Sequence, residues 1–250
     1  MRLSASIHLI GGSVWGGMGL TPGPDCNMYL IECGGGDLAM VDCGSGLPAS
    51  VKAVEAHVAW AGLDLARVKH ILLTHAHGDH AGGAAAFAVR TGARIHASSF
   101  AAEALEAGDE EVTSIAAART AGIFPADFKL EAVADVARVR CGDQVRIGSL
   151  TAKVHETPGH CAGHLSFEIA VDGATQLFAG DVVFWRGRAL MQAISDCDPA
   201  ALAASLAKLA SIENLAGLFP GHGAFVLTGG SRHVAAAAAD VRALRLPREL

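Results

Sequence analysis

The chain begins with short hydrophobic runs that are separated by glycine-rich turns. Residues 5–10, 27–33 and 38–42 each have the length and composition of a β-strand, and Gly34-Gly35-Gly36-Asp37 is typical of a hairpin turn. The pattern predicts a β-meander at the start of the fold. The glycine-rich segment 11–24 is compatible with a mobile flap over a cleft and equally with an ordinary surface loop.

The middle of the chain alternates between helical and strand patterns. Apolar spacing predicts a helix over residues 48–61, a strand over 69–73, a helix over 81–90 and a strand over 94–97. Residues 98–131 differ, because two helical stretches there are joined by an acidic run and an aromatic turn that holds Phe124 and Phe128. We interpret residues 98–131 as a helical insertion.

The second half of the chain returns to strand patterns, over residues 144–147, 151–156, 165–171 and 176–179. Asp198-Pro199 predicts the start of a helix over 200–209, with Asp198 as the N-cap, and a last helix is predicted over 234–246. Two strand-rich halves with interspersed helices predict an α/β fold, a four-layer αβ/βα sandwich with outer helices. We expect one domain over residues 1–250.

Seven side chains that bind metals stand in the predicted turns. His75-Ala76-His77-Gly78-Asp79-His80 directly follows the apolar run over 68–73, and three further candidates stand downstream at His160, Asp181 and His222. Five histidines and two aspartates are enough for two divalent ions. Imidazole and carboxylate suit zinc first, with iron and manganese as competitors. The sequence therefore predicts a dinuclear metal site along one edge of the sandwich.

Composition excludes several other classes of protein. A hydrophobic content of 51% supplies a large core, but no apolar run approaches the ~20 residues that span a bilayer. The net charge of −6 and the lack of a dense Lys/Arg block argue against a nucleic-acid partner. The N-terminus does not resemble a signal peptide, and the six cysteines show no CxxC spacing, so we expect a cytoplasmic protein with reduced, structural cysteines. The oligomeric state is left open.

The motifs together resemble the metallo-β-lactamase superfamily, whose HxHxDH loop is matched by His75, His77, Asp79 and His80. The resemblance covers nearly the whole chain, from Val41-Asp42-Cys43-Gly44 to Gly221-His222-Gly223. It implies two ligand sets joined by a bridging residue. The first metal would be held by His75, His77 and His160, the second by Asp79, His80 and His222, and Asp181 would bridge the two.

Such a site favours hydrolysis. Two divalent ions with two aspartates leave a positive centre, which lowers the pKa of a bridging water and polarises the substrate, so a metal-bridging hydroxide would attack. Asp79 and Asp181 are the expected catalytic residues, because Asp79 has a second oxygen that could orient the hydroxide or carry its proton. We expect Asp42 to fix the tautomer of a ligating imidazole, although an ordinary turn residue is the alternative, and His164 is a weaker candidate for the same role.

The branch of the superfamily sets the expected substrate. Asp181 distinguishes the chain from the antibiotic-degrading branch, and Phe184, three residues after it, resembles glyoxalase II, whereas quorum-quenching lactonases usually have a tyrosine there. Only 28 residues follow His222, too few for the glutathione-binding domain of glyoxalase II. We therefore expect a small ester, thioester or lactone as the substrate. Its apolar part would contact four aromatic residues, which core packing explains equally well: Trp15, Phe124, Phe128 and Phe184.

One alternative belongs to another class of enzyme. The persulfide dioxygenases are similar in fold but use one iron, held by two histidines and an aspartate, and react with O₂. The seven candidate ligands of this chain do not by themselves exclude iron. Anaerobic cleavage by the zinc form would distinguish the hydrolase from the dioxygenase.

Overall fold

A six-stranded sheet forms the first half of the protein. The computed structural model describes residues 1–14, 16–192, 194–243, 245 and 247–248. The strands are neighbours in sequence order: β1 (Ile7–Gly11), β2 (Met28–Glu32), β3 (Leu38–Val41), β4 (Val68–Leu72), β5 (Arg94–Ala97) and β6 (Ala137–Arg138). The first three strands pair antiparallel, which confirms the predicted meander, and β3 to β6 pair in parallel.

A five-stranded sheet forms most of the second half. Its strands are β7 (Gln144–Ile147), β8 (Leu150–Glu156), β9 (Leu165–Val171), β10 (Ala174–Gly180) and β11 (Leu215–Pro220), in the spatial order β11-β10-β9-β8-β7. Only β11 is parallel to its neighbour, and it was not predicted. Gly217 and Pro220 interrupt its short apolar run, so the sequence shows no alternation there.

Helices cover the outer face of each sheet. They are α1 (Pro48–Trp60), α2 (Gly78–Ala81), α3 (Ala84–Thr91), α4 (Ser99–Ala107), α5 (Ile115–Thr120), α6 (Pro199–Leu209) and α7 (Gly230–Arg242). Val54 of α1, Phe87 of α3 and Leu105 of α4 pack on the six-stranded sheet. Leu206 of α6 and Val234 of α7 pack on the five-stranded sheet. A third core, with Phe167 and Phe178 at its centre, lies between the two sheets. The predicted four-layer sandwich is confirmed.

The helix predicted over 81–90 is broken into α2 and α3 by Gly82 and Gly83. A Cβ atom at Gly82 would lie 2.6 Å from the carbonyl oxygen of Ser45, and one at Gly83 would lie 2.3 Å from that of Cys43. Only glycine allows the loop after β3 to approach this closely. The break separates α2, which carries the candidate ligands Asp79 and His80, from α3, which packs on the sheet through Phe87.

The segment over 98–131 contains α4 and α5. Helix α4 joins the parallel strands β5 and β6, and its Leu105 belongs to the outer core, so α4 is a crossover helix of the helical layer. The residues after α4 form a separate small cluster around Ile115, Phe124 and Leu130. Among the described residues, no helix is both long and apolar enough to cross a membrane.

Candidate metal centre

All seven predicted ligands meet at one edge of the sandwich, in segments that follow four different strands. His75 to His80 follow β4, and His160 follows β8. Asp181 follows β10 directly, and His222 follows β11. Because β4, β10 and β11 end at the same edge, residues that are far apart in sequence come within contact distance.

Three histidines form the first group. Nδ1 of His77 lies 3.1 Å from Nε2 of His75 and 3.1 Å from Nε2 of His160. All three side chains are buried. Three imidazole nitrogens that face one point form the kind of ligand set that holds zinc with a fourth position open.

Asp79, His80 and His222 form the second group. Nε2 of His222 lies 3.3 Å from Nε2 of His80 and 3.1 Å from Oδ2 of Asp79. Asp181 lies between the two groups, since its Oδ1 is 3.4 Å from Nε2 of His80 and its Oδ2 is 3.7 Å from Nε2 of His160. The carboxylate of Asp181 therefore reaches both groups.

The pKa values of His75, His77 and Asp181 suit cation binding. Burial lowers the pKa of His77 to about 4 and that of His75 well below its usual value, so both imidazoles are neutral at pH 7. Burial opposes ionisation of Asp181, but the nearby His222 and His80 hold its pKa well below the usual range. Oδ1 of Asp181 is buried and accepts no hydrogen bond from the described residues. Buried carboxylate oxygens normally have a donor or a cation as partner, so this atom indicates a cation site.

Asp42 contacts the ring of His80, and the sequence predicts that Asp42 fixes the tautomer of a ligating imidazole. Oδ2 of Asp42 accepts a 2.9 Å hydrogen bond from Nδ1 of His80, so Nε2 of His80 faces the site. Thr74, which the sequence did not single out, donates its hydroxyl to the same Oδ2 at 2.8 Å. That hydroxyl therefore accepts from Nδ1 of His75 at 3.0 Å, so Nε2 of His75 also faces the site without a proton.

His164 fixes the position of Asp181 through its backbone. The N–H of Asp181 donates to Nε2 of His164 at 3.0 Å, so the proton of the His164 ring is on Nδ1. Nδ1 in turn donates to Oγ1 of Thr157 at 2.9 Å, Thr157 donates to Oγ of Ser166, and Ser166 donates to the Ala179 carbonyl at 3.2 Å. The direction of each hydrogen bond is determined by the backbone groups at the two ends.

Asn27 and Tyr29 hold the loop that carries His222. Nδ2 of Asn27 donates to the carbonyl oxygens of Pro220 and Gly223 at 3.2 and 3.0 Å, and the hydroxyl of Tyr29 donates to the Pro220 carbonyl at 2.8 Å. Both residues lie in or beside β2, within the strand predicted over 27–33. Gly16 of the glycine-rich segment accepts a hydrogen bond from the N–H of Gly223, so this segment lies against the loop.

A buried thiol lies beside the first group. Sγ of Cys161 is within 4.8 Å of the ligand atoms of His75, His77 and His160. The sequence predicts no thiol among the ligands, and the structure shows one next to them. Burial raises the pKa of Cys161 well above its usual value, so its sulfur is a neutral thiol.

The aromatic residues predicted to contact substrate differ in how much of each side chain is exposed. Phe184 is fully buried and Phe124 is 4% exposed, so neither ring presents surface to a ligand. Phe124 packs on Phe128 with ring centroids 4.9 Å apart. Phe128 is half-buried and lines a cavity of about 590 Å³ beside α1 and α3, with Pro48 and Val89. Trp15 lies outside the described residues.

Sequence comparison finds similar proteins among hydrolases. A Rhodopseudomonas palustris protein named hydroxyacylglutathione hydrolase is 37% identical over 145 residues, which cover 57% of this chain and 46% of the relative. One of the same name from Anaeromyxobacter dehalogenans is 32% identical over 205 residues, 80% of this chain and 62% of the relative. The chain thus spans about half to three-fifths of the length of these curated relatives.

Solved structures share the fold over almost the whole chain. A subclass B3 metallo-beta-lactamase of Bradyrhizobium japonicum superposes with a TM-score of 0.72 at 24% identity, covering 98% of this chain and 91% of that one. A metallo-beta-lactamase family protein of Thermus thermophilus gives 0.72 at 24% identity, covering 97% and 81%. The family model described as metallo-beta-lactamase superfamily matches residues 21–240. The chain therefore belongs to the metallo-beta-lactamase superfamily.

Proposed function

We propose that the protein is a metal-dependent hydrolase that cleaves an ester, thioester or lactone with two divalent ions, zinc in the first place. The observation that carries this proposal is the convergence of seven nitrogen and oxygen ligands in two groups that share Asp181. His75, His77 and His160 would hold the first ion. Asp79, His80 and His222 would hold the second.

The donor set fits such ions on its own chemistry. His75 and His77 are neutral imidazoles, Asp181 is an ionised carboxylate, and its Oδ1 accepts no hydrogen bond from the described residues, as a cation-binding site requires. When bound, the ions supply a Lewis acid and lower the pKa of a coordinated water. The names of the relatives support a hydrolase, because hydroxyacylglutathione hydrolase denotes thioester cleavage.

Asp79 is the residue best placed to handle a proton. Its Oδ2 is 3.1 Å from Nε2 of His222, and its side chain is 31% exposed, so it is accessible from solvent. The nearby His80 and His222 outweigh the effect of burial and hold the pKa of Asp79 well below the usual range, so it enters the reaction as a carboxylate. A carboxylate at the open side of the site orients an incoming water by accepting its hydrogen bond.

The decisive experiment separates this hydrolase from an iron dioxygenase. Protein stripped of metal and reconstituted with zinc or manganese should cleave p-nitrophenyl acetate under strictly anaerobic conditions, with close to two ions bound per chain. His77→Ala should abolish this activity, whereas His155→Ala should retain it, because His155 pairs with Glu168 on β8 and β9, outside both ligand groups. Turnover only in the iron form, with O₂ consumed alongside a persulfide, would overturn the proposal.

A further inference from the structure

The metal centre is accessible to solvent from one side only. Within it, the side chains of Asp79 and His222 are 31% and 14% exposed, whereas that of Asp181 is 3% exposed and those of His80 and His160 are fully buried. A substrate therefore reaches the centre from the side of Asp79 and His222. Residues around this opening contact whatever part of the substrate extends away from the reacting bond.

Two segments border the opening. The glycine-rich segment 11–24 lies beside His222, because Gly16 accepts the hydrogen bond from Gly223, and it leads directly to Cys26, whose N–H donates to the carbonyl of Asp79 at 3.0 Å. The segment after α4 lies beside Asp79. There the N–H of Gly78 donates to the carbonyl of Thr113 at 2.8 Å, and the ring of Phe124 packs against Gly78.

Both segments carry apolar side chains that are exposed to solvent. Val14 is 71% exposed and Met18 is 53% exposed on the first segment, and Ile123, next to Phe124, is 43% exposed on the second. Val14 and Ile123 face each other across a cavity of about 100 Å³, whose remaining walls are Pro22, Gly23 and Pro24. None of these five residues carries a charge. Exposed apolar surface on segments that border a reactive centre is typical of a ligand contact.

We propose that this cavity binds the apolar chain of the substrate's acyl group, so that the protein prefers a medium-length alkanoyl ester or thioester. The inference rests on the proposed hydrolase function and adds the substrate class. Hydroxyacylglutathione, the substrate in the names of the relatives, combines a short polar acyl group with a carboxylate-bearing peptide. The side chains of this wall give such a substrate neither hydrogen bonds nor a cation.

The test measures how kcat/KM depends on acyl length in zinc-loaded protein, from p-nitrophenyl acetate to hexanoate, with S-lactoylglutathione alongside. The wild type should favour hexanoate over acetate roughly tenfold, since each methylene that leaves water contributes to binding. Val14→Ser and Ile123→Ser should each lower this ratio about threefold. Val89→Ser is the matched control, because Val89 is an exposed valine on α3 away from the opening, and it should keep the wild-type ratio.

Calorimetry gives a second readout that does not depend on turnover. Octanoate should bind zinc-loaded protein more tightly than acetate, and Ile123→Ser should remove most of the difference. If esters are cleaved without dependence on chain length, or lactoylglutathione is clearly preferred, the inference is wrong while the hydrolase stands. If nothing is cleaved but octanoate binds through Ile123, the proposed function fails and the apolar site remains.

Discussion

The backbone N–H of Asp181 donates a 3.0 Å hydrogen bond to Nε2 of His164, so a histidine outside both ligand groups positions the carboxylate that joins them. His164 is itself buried, and burial lowers its pKa well below the usual value, which keeps Nε2 available as an acceptor. Asp181 directly follows Gly180, the last residue of β10, where the chain leaves the sheet. The hydrogen bond replaces the strand pairing that ends at this point.

Replacing His164 by alanine should lower metal affinity and kcat about 10- to 100-fold, because the loss of the acceptor frees the backbone of Asp181. His164→Gln should recover part of the affinity, since its carbonyl oxygen accepts a hydrogen bond. Chelator competition measures the affinity, and urea unfolding shows whether each variant folds. His155→Ala serves as the control, and equal affinities for His164→Ala and wild type would contradict the positioning role.

Asp42→Asn should weaken the second ion about 10- to 100-fold, because a neutral amide holds the Nδ1 proton of His80 less strongly than a carboxylate does. The substitution leaves the backbone relaxed, since Asp42 has φ +57° and asparagine tolerates this left-handed conformation. Metal titration of the apo protein gives the two affinities separately.

Asp172→Asn is the matched control for this change. Asp172 also has positive φ, at +54°, and its carboxylate accepts hydrogen bonds from Ser4 and Ser6 far from the ligands. The metal affinities of the Asp172→Asn variant should equal those of the wild type. A similar loss in both variants would show that Asp42 acts through general stability and not through His80.

Asp181→Asn should reduce the bound metal from close to two ions per chain towards one. It should also lower the hydrolysis rate by roughly a hundredfold or more, because an amide neither neutralises two cations nor joins them. The side chain is nearly isosteric, so unfolding in urea should change far less than metal content. Elemental analysis of the purified variant measures the stoichiometry. Two ions with unchanged turnover would refute a bridging role.

The fold could be predicted from the sequence where a strand is an apolar run that ends in a clear turn. The meander, the strands β7 to β10 and the Asp198-capped α6 were predicted because local patterns determine them. Strand β11 was missed because its pairing with β10, and not its own pattern, makes it a strand. The break at Gly82 and Gly83 was missed because the approach of the loop after β3 is a tertiary contact.

The candidate ligands could be predicted because their spacing is local. Most residues that form hydrogen bonds to these ligands or to their loops could not be predicted. Asn27 and Tyr29 bind the Pro220 carbonyl from 193 and 191 positions away, and no local pattern marks such pairs. Asp42 was found only because it lies in a recognisable turn motif. The rings of Phe124 and Phe184 are buried, because an aromatic side chain near a site is as often core as contact.

The acid stability of the fold should depend on His96, which lies on β5 with Nε2 3.1 Å from Nδ1 of His70 on β4. Burial lowers the pKa of His96 to about 4, and the neighbouring His70 and Arg94 act in the same direction. In the unfolded chain the pKa returns to about 6.5. Between these values the unfolded chain binds a proton that the folded protein does not, so the free energy of unfolding falls as the pH decreases from about 6.5 to 4.

His96→Gln should therefore flatten this decrease, because glutamine occupies the position without titrating. The measurement is urea unfolding of metal-free protein between pH 7 and pH 5, with chelator present so that acid release of metal does not contribute. His57→Gln, at a partly exposed position on α1, is the control and should keep the wild-type dependence. If His96→Gln loses stability with falling pH as steeply as the wild type, the acid sensitivity lies elsewhere, with the buried histidines of the metal loop as the remaining source.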